Sequence, residues 1–77
     1  MQKVALTKRQ REVAFFLVQG LQNKQIAHEM RLSEATVKLH ISGLLARLGV
    51  TNRTSAVIKV IRENMIDVDG FTAKERW

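Results

Sequence analysis

The sequence predicts an all-α domain, and three observations predict it. Proline is absent from all 77 residues, apolar residues recur at helical spacing, and cap residues mark where that spacing starts and stops. Two β-branched runs, VIKVI and TVKLHI, compete as strands, but their caps and longer-range period favour helix.

Four helices follow in order. The first takes Thr7 as N-cap with Gln10 three residues on, a capping box, and carries Val13, Phe16 and Leu17 on one face. Gly20 suits the left-handed residue that closes such a helix. The second is short, from about Asn23 to Met30, with Ile26, Ala27 and Met30 inward. The third opens at the N-cap Ser33, with Glu34 favourably placed in its first turn, and ends near Gly49. The fourth is expected from about Thr54 to about Asn64. Residues 1–65 form the domain and 66–77 a tail without clear period, in which Phe71 and Trp77 are the large apolar groups.

Composition narrows the function. The chain has no cysteine, so neither a disulfide framework nor a thiolate metal site is available. No apolar run is long enough to span a bilayer and no signal-peptide pattern opens the chain, so a reducing cytoplasm is the expected compartment. Residues 1–62 hold eleven Lys and Arg against three Glu, a net of +8; residues 63–77 hold two against four, and the whole chain is +6. A positive body points to a polyanionic partner, nucleic acid before membrane.

The third helix says where that partner sits. Advancing about 100° per residue puts Val37, Ile41, Leu44 and Leu48 on one side, with Leu45 at its edge. Opposite lie Ala35, Leu39, Ser42 and Ala46, with Gly43 and Thr36 beside them, Lys38 at one border, and His40 and Arg47 at the other. A solvated face normally carries long charged side chains, and Gly43 costs about 1 kcal/mol relative to alanine within a helix. A face small in the middle and basic at its margins fits the DNA major groove, which admits one helix between two rows of phosphates. There Leu39 can touch a thymine methyl, Lys38 can reach guanine acceptors, and Ser42 can meet either kind of base edge. Close packing against another helix is the competing use of such a face.

The preceding residues favour the groove. A short helix joins the third through a turn of about three residues, with Ala27 small at the crossing and Ile26, Leu32 and Val37 as the wedge. That is the helix-turn-helix arrangement, whose second helix enters the major groove.

The segments LT-RQREV at 6–13, GLQNKQIA at 20–27, LSEATVKLHISGLLARLGV at 32–50 and NRTSAV at 52–57 together resemble the DNA-binding domain of the LuxR/NarL (GerE-type) family of bacterial transcription regulators. The resemblance implies a four-helix domain whose third helix reads bases and whose fourth often mediates dimerisation. It places base reading on Lys38, Leu39 and Ser42, the positions that helix geometry also singles out. It places phosphate contacts on Asn23, Lys24, Ser33, Thr36, His40 and Arg47. Ser33 fits this role physically, because a helix N-terminus offers free N–H groups to an anion. The sequence departs from the family pattern at Gln22, where Ser or Thr usually caps the second helix, and at Arg31, where a turn glycine is frequent and another residue carries strain. Phe15 stands at a usually polar position and is expected at the surface. Ser42 and Ala46 replace basic residues, which implies weaker binding or a different target sequence.

In the fourth helix Ala56, Val57, Ile58, Val60, Ile61 and Met65 spread over about 200° of arc, wider than one core needs. Ile58, Ile61 and Met65 are therefore free to meet another chain, and the family resemblance implies that this contact is a two-fold dimer on an inverted repeat. The implied partners are double-stranded DNA, a second copy of the chain, and RNA polymerase or another regulator, with no membrane and no cofactor. Bound to DNA, the chain would sit with the nucleoid.

Other signals are weak. His28 and His40 lack partners at metal-ligand spacing, and DVDG at 67–70 has its glycine too early for a calcium loop. No nucleophile–base–acid set is visible, so no enzyme activity is expected. The alternative from another class is a protein-interaction module that pairs with a full-length LuxR-type regulator and modulates it. With no phosphoacceptor or small-molecule domain, the chain reads as an excised effector domain or a free-standing small regulator.

Overall fold

The computed structural model describes residues 5–66, and the segment holding Phe71, Trp77 and DVDG lies outside them. Among the described residues there are four helices and no strand: α1 (Lys8–Val18), α2 (Asn23–Met30), α3 (Glu34–Leu48) and α4 (Arg53–Arg62). The all-α expectation and the order of elements hold.

Each helix starts where a side chain satisfies a free amide. Thr7 Oγ1 accepts from the Gln10 N–H at 3.1 Å while Gln10 Oε1 accepts from the Thr7 N–H at 3.0 Å, the expected capping box. Gln22 stands before α2, and its N–H donates to Gln25 Oε1 at 2.8 Å. Asn23 is therefore the first helical residue, as its spacing predicts. Ser33 Oγ accepts from the Thr36 N–H at 3.1 Å. Asn52 Oδ1 accepts from the Ser55 N–H at 2.8 Å, so α4 begins one residue before the Thr54 expected from sequence.

The four ends share one device. Gly20, Arg31, Gly49 and Asn64 take left-handed backbone with φ of 84°, 58°, 71° and 52°. The next residue's N–H then reaches back to the last helical turn: Leu21 to Phe16, Leu32 to Ala27, Val50 to Leu45 and Met65 to Val60. Each of those next residues is apolar and packs partly buried against the core. Because Asn64 closes the motif, α4 stops at Arg62 and not at Asn64 as its periodicity suggested.

Arg31 is the costly member of this set. A residue with a Cβ in the left-handed region loses about 1 kcal/mol relative to glycine. Arg31→Gly is expected to raise the thermal midpoint by about 4–8 °C per kcal/mol recovered, as calorimetry on the isolated domain can measure. A lowered midpoint would mean that the arginine side chain contributes more than its backbone costs.

Helix α3 is the centre of the fold. It packs against α1, α2 and α4, and α1 also packs against α4. The core joins Val13, Ala14 and Leu17 of α1, Ile26 and Ala27 of α2, Val37, Ile41, Leu44 and Leu48 of α3, and Ala56 and Val60 of α4. All four α3 residues expected in the core are buried, and Leu45 sits half-buried at the edge. Phe15 departs from expectation. It is half-buried, its ring meeting that of Phe16 edge-on at a centroid distance of 5.3 Å. Ile66, assigned from sequence to the tail, packs against the core, so the domain extends at least that far.

Candidate nucleic-acid interface

Three helices cover one side of α3, and the opposite side faces outward. Ala35, Lys38, Leu39, Ser42, Gly43 and Ala46 are all exposed there, and Leu39 keeps 72% of its surface in solvent. It is the most exposed of the large apolar residues described. The three residues read as base contacts, Lys38, Leu39 and Ser42, thus share one open face.

Gly43 tests whether the fold itself needs this face to be small. A Cβ built on Gly43 would meet only the Gln10 side-chain Nε2, at 3.6 Å, which is ordinary van der Waals contact. Among the described residues nothing excludes an alanine here. The conformational cost of glycine in mid-helix therefore has no internal compensation among the described residues.

The start of α3 is ordered by its own hydroxyl groups. Ser33 Oγ, besides capping, donates its proton to Thr36 Oγ1 at 2.9 Å. The Thr36 hydroxyl is thereby an acceptor within the protein and keeps its own proton to donate elsewhere. Both residues sit at the positive end of the α3 dipole, and Ser33 is exposed while Thr36 is half-buried.

At the start of α2, Lys24 is exposed and Asn23 half-buried. The Asn23 carbonyl oxygen accepts from Arg53 at 2.7 Å, so only its amide NH₂ remains to address a partner. Arg47 is exposed, but its Nε donates to the Ala5 carbonyl at 2.9 Å, so one nitrogen of the guanidinium is already spent within the domain. His40 is half-buried on the same margin of α3.

The fourth helix divides its wide apolar arc. Ala56 and Val60 are buried, Val57 and Met65 are half-buried against the core, and Ile58 and Ile61 stay 48% and 43% exposed. Of the three residues expected at a dimer contact, two face solvent and Met65 is largely occupied by its own domain.

Sequence reasoning missed three cross-braces. Arg53 donates to the Leu21 carbonyl at 2.6 Å as well as to Asn23. Lys59 Nζ donates to the Leu48 carbonyl, the last residue of α3, at 2.9 Å. The third is the Arg47–Ala5 bond. No local period marks such residues, because their partners lie 11 to 42 positions away.

Among the described residues no group of His, Cys, Asp and Glu could hold a metal ion, and no helix is long and apolar enough to cross a membrane.

Residues 4–60 match the model of the bacterial regulatory proteins of the luxR family. The spore germination protein GerE of Bacillus subtilis is 44% identical over 66 residues, which cover 86% of this chain and 89% of that protein. The nitrate/nitrite response regulator protein NarP of Escherichia coli is 47% identical over 58 residues, covering 75% of this chain but only 27% of NarP. Among solved structures, the transcription factor GerE superposes with a TM-score of 0.75 at 33% identity, covering 87% of this chain and 98% of that one. The response regulator ChrA of a heme-sensing two-component system superposes with a TM-score of 0.77 at 39% identity, over 86% of this chain and 33% of that one. The chain thus spans nearly all of one relative and about a quarter to a third of others.

Proposed function

Because the chain belongs to the luxR family of bacterial regulatory proteins, DNA-binding regulators of transcription with a helix-turn-helix, we propose that it binds double-stranded DNA sequence-specifically by laying α3 in the major groove. The observation that carries this reading is Leu39, a large apolar side chain left 72% exposed in the middle of a face whose other members, apart from Lys38 at its border, are Ala, Ser and Gly. The fold leaves room for a Cβ at the neighbouring Gly43, and a solvated face has no use for Leu39. A thymine methyl at the groove floor does.

Lys38 and Ser42 flank Leu39 and supply hydrogen bonds to base edges. Phosphates on one side meet the amide and hydroxyl groups around Ser33 and Thr36; those on the same strand or across the groove meet Asn23, Lys24, His40 and Arg47. These contacts fix register, and the three base-facing residues supply discrimination. Two copies pair through Ile58 and Ile61 of α4, with Met65 at the edge of the patch, so the preferred site is an inverted repeat. The expected compartment is the cytoplasm, and no chemistry beyond binding is required of the domain.

Selection of bound duplexes from a random library tests this. An enriched inverted repeat, bound with a steep salt dependence from several phosphate contacts, is the expected result. Purely salt-driven binding with no enriched sequence would refute base reading by α3. Capture of a longer regulator without any bound duplex would instead assign the domain to the modulation of another protein.

A further inference from the structure

Helix α4 is bolted to the rest of the domain by two cations, one reaching the start of α2 and the other the end of α3. At its first residue, the Arg53 guanidinium donates through one nitrogen to Asn23 Oδ1 at 2.7 Å and through the other to the Leu21 carbonyl at 2.6 Å. One turn and a half further on, Lys59 holds the Leu48 carbonyl at the end of α3. The Arg53 bonds are short, charge-assisted and part-buried, a geometry in which a planar fork holds two acceptors in fixed relation. Those acceptors belong to the loop and first residue that set the position of the α2 N-terminus.

We infer that Arg53 is a positioning residue for DNA binding: by gripping Leu21 and Asn23, it holds the phosphate-facing start of α2 in fixed register with α4. The inference rests on the proposed function, in which α2 meets phosphate and α4 meets the second copy. A dimer reads two half-sites at one separation only if the distance from its two-fold axis to its phosphate contacts is rigid within each subunit. Inside the subunit, α2 and α4 are far apart in sequence, and Arg53 spans that gap of 30 to 32 residues with two bonds. Lysine cannot replace it, since a single ammonium cannot hold both acceptors in the same plane.

The test compares the wild-type chain with Arg53→Lys and Arg53→Met on the selected inverted repeat and on repeats with one base pair added or removed between half-sites. Thermal unfolding is recorded for each variant, and binding is measured at a temperature where all are folded. Should Arg53→Met be unfolded at every usable temperature, Arg53→Lys, which retains charge and one bond, carries the comparison. The expected result is that affinity for the preferred spacing falls about tenfold, equivalent to about 1.4 kcal/mol. Preference among the three spacings flattens, the salt slope falls by about one phosphate per subunit, and discrimination at the Leu39 base pair is unchanged. A bond that serves stability alone would lower the unfolding temperature and leave spacing preference and salt slope as in wild type, and that outcome overturns the inference. Failure of the wild-type chain to select any duplex overturns both this inference and the proposed function, whereas wild-type selection with unaltered Arg53 variants overturns only this one.

Discussion

Leu44→Ala is expected to remove about 2–5 kcal/mol of stability, a large share of what holds the domain folded. Leu44 is fully buried at the middle of α3, where the helix meets its neighbours. Removing its isopropyl group loses transfer free energy and leaves a cavity, together about 2–5 kcal/mol. A domain of this length buries a smaller share of its surface than a larger one does, so its stability lies near the low end of the usual range of about 5–15 kcal/mol. The mutation therefore consumes most of what holds the fold. Urea denaturation followed by circular dichroism checks it: the midpoint should fall steeply while the slope stays constant. A loss below about 1 kcal/mol would mean that the three helices packed on α3 collapse into the space. DNA binding should fall with the folded fraction and recover when the temperature is lowered.

Leu39→Ala, five residues earlier on the same helix, is expected to do the reverse. Leu39 is 72% exposed, so truncating it should change stability by no more than about 0.5 kcal/mol. Alanine is also the better helix former. What it should lose is discrimination at one base pair in each half-site, about 1–3 kcal/mol between the preferred base and its alternatives, with the salt dependence unaltered. Competition binding with duplexes substituted singly at each position is the measurement. If the mutant keeps its full preference at every position, Leu39 does not touch a base, and the exposed leucine is left to a protein partner. Taken together the two leucines separate folding from recognition along a single helix: one mutation lowers the amount of active protein, the other changes what the active protein prefers.

The helical elements were legible because the information that specifies them is local. Thr7, Ser33 and Gly20 act within three residues of the amides and carbonyls they satisfy, and the 3.6-residue period of α3 separates a buried face from an open one without knowledge of any neighbour. The limits of α4 were displaced for a related reason. Asn52 and Asn64 are both polar residues at the edge of an apolar run, and a local pattern does not say that the first accepts an amide while the second turns left-handed. Phe15 was expected outside because its position is usually polar in the family the chain resembles, but it is half-buried with its ring edge-on to that of Phe16.

By itself, then, the sequence determined the all-α class, the four helices, the two faces of α3 and the family to which the chain belongs. The tertiary structure decided which parts of those surfaces are available. It turned Arg53 and Lys59 inward as braces, drew Arg47 onto the Ala5 carbonyl, and divided the apolar arc of α4 into Val60 below, Met65 at the edge and Ile58 and Ile61 outside. The physical reason is the reach of the interactions. A cap or a helical period acts within a few residues and is written in their order, whereas a hydrogen bond across 30 residues or the cover over one side of a helix exists only once distant segments have been brought together.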